Sequence, residues 1–551
     1  MSLIENAPYL VNIHHIHYIR KTEGVKMEKY ILGKVVDIHN RTIFAAKISI
    51  EGENIKEIIS ISENKLSGNE GYIIPGFIDS HCHIESTMLT PAEFGRNAML
   101  HGTIASISDP HEIANVCGIK GLEFMIKNAE HTQMKIFFTL PSCVPSVDFE
   151  ATGARINTAE TTTLIKKADF IGLSEMMNCP GVIHNDTEVM AKIKASLHVG
   201  KPIDGHAPSI TGKELKKYIA AGITTDHETT SYAEAEEKIK AGMKIQIREG
   251  SSAKSLNQLM PLISKYPDKI MFCTDDLKSS DLRHNHINEI VRRAVTAGYD
   301  LFNVLRAATI NPISHYNLPV GLLRAGDKAD FIIVNNPVEF KTKTVYINGS
   351  PINDKGYIQQ HEKINNFAAT PVTTTDIQGG NHEDIIGIIP NSLYTKHLKS
   401  DSKKYDILKI VCYNRYQKGA TPTVGYIHGF GIKKGAFGST IGHDSHNITV
   451  VGYDDISIVK VINTIVRMQG GIAVCDGSET ITLPLDIAGL MSKESIDQVA
   501  SQYTKIEDKI KTLGSNLSSP LMTLSFMSLP VIPSLKITAS GLFDVDKFTI
   551  I

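Results

Sequence analysis

The chain has 551 residues, 42% of them hydrophobic and 21% charged, and a formal net charge of −2. That is an ordinary globular composition with room for about three domains. The near-neutral balance gives no global field for nucleic acid or a membrane surface, and no apolar run approaches the ~20 residues of a spanning helix. The first 26 residues lack the apolar core and cleavage site of a signal peptide, so a cytoplasmic protein is expected. Cysteines at 82, 117, 143, 179, 273, 412 and 475 form no CxxC pair and read as reduced thiols.

In chain order, residues 1–27 read as an N-terminal extension, with His14, His15 and His17 as a solvated cluster outside any strand. Residues 28–72 alternate short β-rich pieces with turns, and a similar texture returns at 311–363. The two flanks are expected to form one small β-sandwich around an inserted domain. Between them, at 73–310, eight strand-like segments (YIIPGFID, GTIASIS, KIFFTL, DFIGLS, KPIDG, GITTD, KIQIR, KIMFCT) alternate with helical ones. Helix starts are marked by a capping residue three before a glutamate, as at Thr90–Glu93, Asn185–Glu188, Thr211–Glu214 and Ser231–Glu234. Eight β-α units with no Gly-rich phosphate turn fit an α/β fold of the (β/α)₈ barrel type better than an open doubly wound sheet. Residues 364–380 read as a linker, and 381–551 as a separate α+β domain.

Functional groups of such a barrel collect at the C-terminal ends of its strands. The first strand ends in His81-Cys82-His83, whose period-two alternation sends both imidazoles to one side and Cys82 to the other. The second ends at Asp109 and His111, the fourth at Glu175, the fifth at His206, the sixth at His227, the seventh at Arg248-Glu249 and the eighth at Asp275. Each of these residues alone has a structural explanation. Together, His81, His83, Glu175, His206, His227 and Asp275 are more ligands than a single zinc needs. They suit two divalent metals about 3.5–4 Å apart, with Glu175 as the bridge. Imidazole and carboxylate donors without thiolate suit Mn or Fe, with Zn possible.

At these residues the chain resembles the amidohydrolase superfamily and, within it, the bacterial adenine deaminase family. PGFIDSHCHIESTMLTPAEF, SDPHEIANVCGI, LSEMMNCPGVI, DGHAPSITGKEL, TTDHETT, IREGSSA and CTDD match that family's segments in order, as does IGHDSHN at 441–447. One departure is Asn285-His286-Ile287-Asn288, where the family tends to carry an acid after the isoleucine. The resemblance implies a binuclear site on the six residues above. It also implies hydrolysis of adenine to hypoxanthine and ammonia in purine salvage, with adenine and water as reactants and a hydroxide bridging the metals.

In that reading Asp275 moves the proton of the attacking water, and Glu85, His111 and Glu249 are candidates for the acid that protonates the ring. Ser86, Arg248, His443 and His446 are expected substrate contacts. The His443–His446 cluster could instead meet a further metal or form a satisfied turn network. A homodimer is the default expectation. Two alternatives remain. A cyclic amidase of the hydantoinase or dihydropyrimidinase type would commonly carry a lysine bridge, and LSEMMN offers none. An inactive metal-binding scaffold would typically have lost ligands. The single-zinc nucleobase deaminases are excluded, because no PCxxC follows His83-Ile84-Glu85.

Overall fold

A computed structural model describes residues 11–13, 16–19, 28–353, 363–380, 382–390, 392–400 and 406–551. Eight parallel strands form the barrel: β1 (Phe77–Cys82), β2 (Thr103–Ser108), β3 (Lys135–Leu140), β4 (Phe170–Met176), β5 (Ile203–Gly205), β6 (Thr225–Asp226), β7 (Lys244–Arg248) and β8 (Ile270–Cys273). The first five pair in chain order, as do the last three. The ring closes on one side through Thr224 N–H to the Ile203 carbonyl at 3.0 Å. On the other, Asp275 N–H donates to the His81 carbonyl at 3.0 Å and His83 N–H to the Asp275 carbonyl at 3.2 Å. Apart from Lys244, Ile171 and the first three residues of β3, the strands are buried throughout, as expected where helices cover the outside and side chains fill the inside.

YIIPGFID is two strands. Tyr72–Pro75 belongs to the flanking sheet and β1 starts at Phe77. The chain passes between them at Gly76, where a Cβ would sit 2.5 Å from the Ile104 side chain, so no larger residue fits the crossing. Two of the four expected helix caps form as read, Thr90 to Glu93 N and Ser231 to Glu234 N. At the third, Asp186 rather than Asn185 caps the helix, and Thr211 makes no side-chain cap.

The two β-rich flanks join in one continuous nine-stranded sheet. Glu28–Asp37 pairs with Thr42–Glu51 along one edge and with Tyr72–Pro75 on the other, which links the halves. The sheet bends over a core of Ile31, Val35, Ile48, Ile73, Phe331 and Tyr346 drawn from both flanks. Strands Val11–Ile13 and Ile16–Ile19 extend it as a hairpin on Glu28–Asp37, so His17 lies in a strand, contrary to the expectation for the histidine cluster. His14 and His15 lie outside the described residues.

The segment read as a linker is fastened to the C-terminal region. Ala368 and Ala369 N–H donate to the Arg415 carbonyl, and Val372 and Ile377 are buried against helix Asp455–Met468. An eight-stranded mixed sheet follows, with that helix on one face. Helices Ile496–Leu513 and Pro520–Ser525 share a core with the barrel. That packing brings the loop at 441–447 to the barrel mouth. Among the described residues no helix is long and apolar enough to cross a membrane.

Candidate metal centre and active site

Strand alternation and barrel closure place His81, His83, Glu175, His206, His227 and Asp275 in one buried cluster. The two oxygens of Glu175 face different partners. Oε1 lies 3.3 Å from His83 Nε2 and 3.9 Å from His81 Nε2. Oε2 lies 2.7 Å from His206 Nδ1 and 3.2 Å from His227 Nε2. Asp275 Oδ1 adds to the first group, 3.1 Å from His83 Nε2 and 3.5 Å from His81 Nε2. The Nε2 atoms of His81 and His83 are 3.2 Å apart. His83 Nδ1 lies 3.1 Å from the Asp109 carbonyl, which fixes the proton on Nδ1 and leaves Nε2 for the cluster.

This donor set fits two divalent cations. One carboxylate with an oxygen toward each of two imidazole groups is the arrangement a bridging ligand needs. His206 Nε2 and His227 Nδ1 have no hydrogen-bond partner although buried. Burial alone would raise the Glu175 carboxyl; His227, His206 and His83 overcome this and hold it well below the usual range. Burial likewise opposes ionisation of Asp275, and Arg248, His81 and His83 outweigh it. Asp275 itself takes a left-handed backbone, φ 55°, at the mouth of β8.

The other candidate residues divide. Burial raises the Glu85 carboxyl to about 7; its Oε1 accepts from Ile113 N–H at 3.2 Å, and its Oε2 is buried without a partner. Ser86 Oγ donates to Asp276 Oδ1 at 2.5 Å and lines a small, mostly apolar cavity with Met88, Ile441, His443 and Met522. His111 sits between Asp109, 3.0 Å from Nδ1, and the pair Glu112 and Asp444. His443 and His446 both donate to the Glu112 carboxylate.

Two expectations need correction. Glu249 does not face the cluster. The alternation that turns Arg248 inward turns Glu249 outward, onto Arg293 and the N–H of Leu256. Arg248 is not free for substrate. It is buried, forked onto both oxygens of Glu228, and 2.6 Å from Asp275 Oδ2. His286, beside the departure from the family pattern, is tied to Thr103 and lies 3.3 Å from Asp79 Oδ2. Sequence reading missed Glu112 and Glu228. Each directly follows a singled-out histidine, which was the only signal available.

A closed β/α barrel carrying His-x-His at the end of its first strand, with a carboxylate-bridged imidazole cluster at its mouth, defines the amidohydrolase class. A profile described as "Amidohydrolase family" matches residues 72–352, and one described as "Adenine deaminase C-terminal domain" matches residues 391–549. The chain is 45% identical to the adenine deaminase of Parabacteroides distasonis over 94% of this chain and 97% of that one. It is 46% identical to the adenine deaminase of a Sulfurovum species over 93% and 97%, and 43% identical to that of Methanosarcina mazei over 95% and 98%. The chain belongs to the adenine deaminase family. Among solved structures it is similar to N-acetyl-D-glucosamine-6-phosphate deacetylase of Mycobacterium smegmatis, at 14% identity over 58% of this chain and 98% of that one, TM-score 0.45.

Proposed function

We propose that this protein hydrolyses adenine to hypoxanthine and ammonia, with His81, His83, Glu175, His206, His227 and Asp275 holding two divalent metals. The observation that carries the reading is whole-length kinship with adenine deaminases combined with the divided Glu175 carboxylate. Imidazole and carboxylate donors without thiolate favour Mn²⁺ or Fe²⁺, with Zn²⁺ also compatible. Metals bound there supply acidified water at neutral pH.

The residues around that water have separable tasks. Asp275 keeps Oδ1 on the cluster side and takes the water's proton for delivery to the departing amine. Arg248, bonded to Oδ2 and to Glu228, sets the carboxylate's orientation. Glu85, with an unpartnered buried oxygen, is the proposed donor to the purine ring nitrogen. A carboxyl kept protonated by burial can donate at neutral pH.

The test is ammonia release from adenine by Mn²⁺-loaded protein, with hypoxanthine followed by its ultraviolet spectrum. Equal amounts of the two products are expected. No turnover with two metals bound would overturn the adenine assignment and favour a cyclic amide substrate.

A further inference from the structure

We propose that Tyr218 is a positioning residue for the metal centre, its hydroxyl fixing the ends of β4 and β5 so that Glu175 and His206 meet one cation. Tyr218 lies outside the ligand set, on helix Gly212–Ala220 between β5 and β6, and is completely buried. Its hydroxyl accepts from His206 N–H at 3.1 Å and donates to the Met176 carbonyl at 2.7 Å. One oxygen thus ties the residue after Glu175 to His206 itself.

The strand pairing gives this link its importance. β4 and β5 pair at Leu173 with Ile203 and again at Met176 with Gly205, so three steps on β4 face two on β5. Glu175 lies in that bulge, and a bulge re-aims the side chains it carries. The direction of Glu175 therefore depends on how the strands rejoin at Met176. With Met176 opposite Gly205, a regular parallel ladder would send the next amide, His206 N–H, to the Met176 carbonyl. The Tyr218 hydroxyl joins those two groups, so a phenol sets the spacing of the strand ends.

The rest of the His206 peptide is held in the same manner. Cys179 begins the short helix after β4, and its thiol donates to the His206 carbonyl at 2.9 Å. Both polar groups of this backbone unit therefore end on side chains. Gly205 leaves space for the phenol ring, since a Cβ there would sit 3.3 Å from Tyr218 Cε1. The result is the closest carboxylate–imidazole approach among the six ligands, Glu175 Oε2 to His206 Nδ1 at 2.7 Å. Hydrogen bonds behind metal ligands tune affinity by orienting the donor atoms.

This inference rests on the two-metal reading of the cluster, and its test separates the two. Chelator competition with Mn²⁺ on the full-length protein, without substrate, gives a dissociation constant for each metal. Tyr218→Phe removes only the hydroxyl. It should weaken one metal by about 10–100-fold, the usual scale for losing such a bond, and leave the other unchanged. Crystals at limiting Mn²⁺ should then show the anomalous peak beside His206 and His227 depleted and the peak beside His81 and His83 retained. Two unchanged constants would overturn the positioning role and leave the two-metal reading intact. Equal weakening of both metals, the mark of a generally loosened fold, would overturn it too. An unaltered protein holding fewer than two metals would sink both readings. If Tyr218→Phe fails to fold, Cys179→Ala carries the test. It removes the donor to the His206 carbonyl and should weaken the same metal, and unchanged affinity there would overturn the proposal.

Discussion

Arg248 Nη1 stands 2.6 Å from Asp275 Oδ2, while Asp275 Oδ1 stands 3.1 Å from His83 Nε2. The carboxylate is thus gripped on one oxygen and presented on the other. The grip is itself held, because Glu228 takes both guanidinium NH₂ groups. Arg248→Lys keeps the charge but loses the planar fork. It should lower kcat by about 10²-fold, the scale of one misplaced electrostatic group, with little change in metal content. Steady-state kinetics with elemental analysis on the same sample would check this, and near-normal kcat would remove the positioning role.

Asp275→Asn tests the proton transfer directly. Asparagine tolerates the left-handed backbone found there, so the fold should survive. Turnover should fall by about 10³-fold or more, within the range for losing a general base. Circular dichroism and adenine turnover on the same preparation make the comparison.

Glu249→Gln should leave turnover nearly intact. Its carboxylate, 7% exposed, meets Arg293 and the Leu256 N–H away from the cluster, so the change should cost stability on the order of 1–3 kcal/mol rather than activity. Activity within about twofold of the parent is expected. A loss as large as that of Asp275→Asn would restore Glu249 to the chemistry and contradict its outward placement.

Chelation should remove activity and lower thermal stability together. Six buried ligands in one cluster are stabilised by a bound cation through mass action, about 2.7 kcal/mol at a hundredfold excess over Kd. Calorimetry before and after chelation should show the melting temperature fall by several degrees and recover on adding Mn²⁺. An unchanged melt with metal shown to be gone would argue against the cluster as a metal centre.

Glu150 gives a pH effect with a defined sign. Burial, aided by Asp444 and opposed by Ser445, raises its carboxyl to about 8. Folded protein therefore binds a proton that the unfolded chain releases near its ordinary value of 4.5. This contribution is fully present below about 4.5 and is lost as pH rises toward 8. Glu150→Gln should flatten that decline by a magnitude on the order of 1–4 kcal/mol. Urea unfolding of both proteins at pH 5 and pH 8 measures it, and parallel slopes would remove Glu150 as the cause.

Much of the candidate site was legible because it is local. His81 and His83 share a face by strand alternation alone, and Glu175, His206, His227 and Asp275 each close a segment whose fold type its own apolar pattern declares. Arg248 and Glu249 mark where that legibility ended. Adjacent residues at a strand end differ in face, and composition cannot say which one the barrel turns inward. The flanking β-unit was readable as strands, but not as one continuous sheet, because pairing between residues such as Val35 and Ile73 is non-local.

The sequence by itself determined the alternating β/α barrel, the ordered set of candidate ligands at its strand ends and the presence of a further C-terminal region, since these follow from periodicity and residue chemistry. Only the tertiary structure decided which oxygen of Glu175 meets which imidazole, that Glu228 and Arg248 steer Asp275, and that His443 lies against Glu112, 331 residues earlier in the chain. Those relationships arise where separate segments pack. Their geometry is set by the closure of the barrel and the docking of the C-terminal domain, which no local pattern encodes.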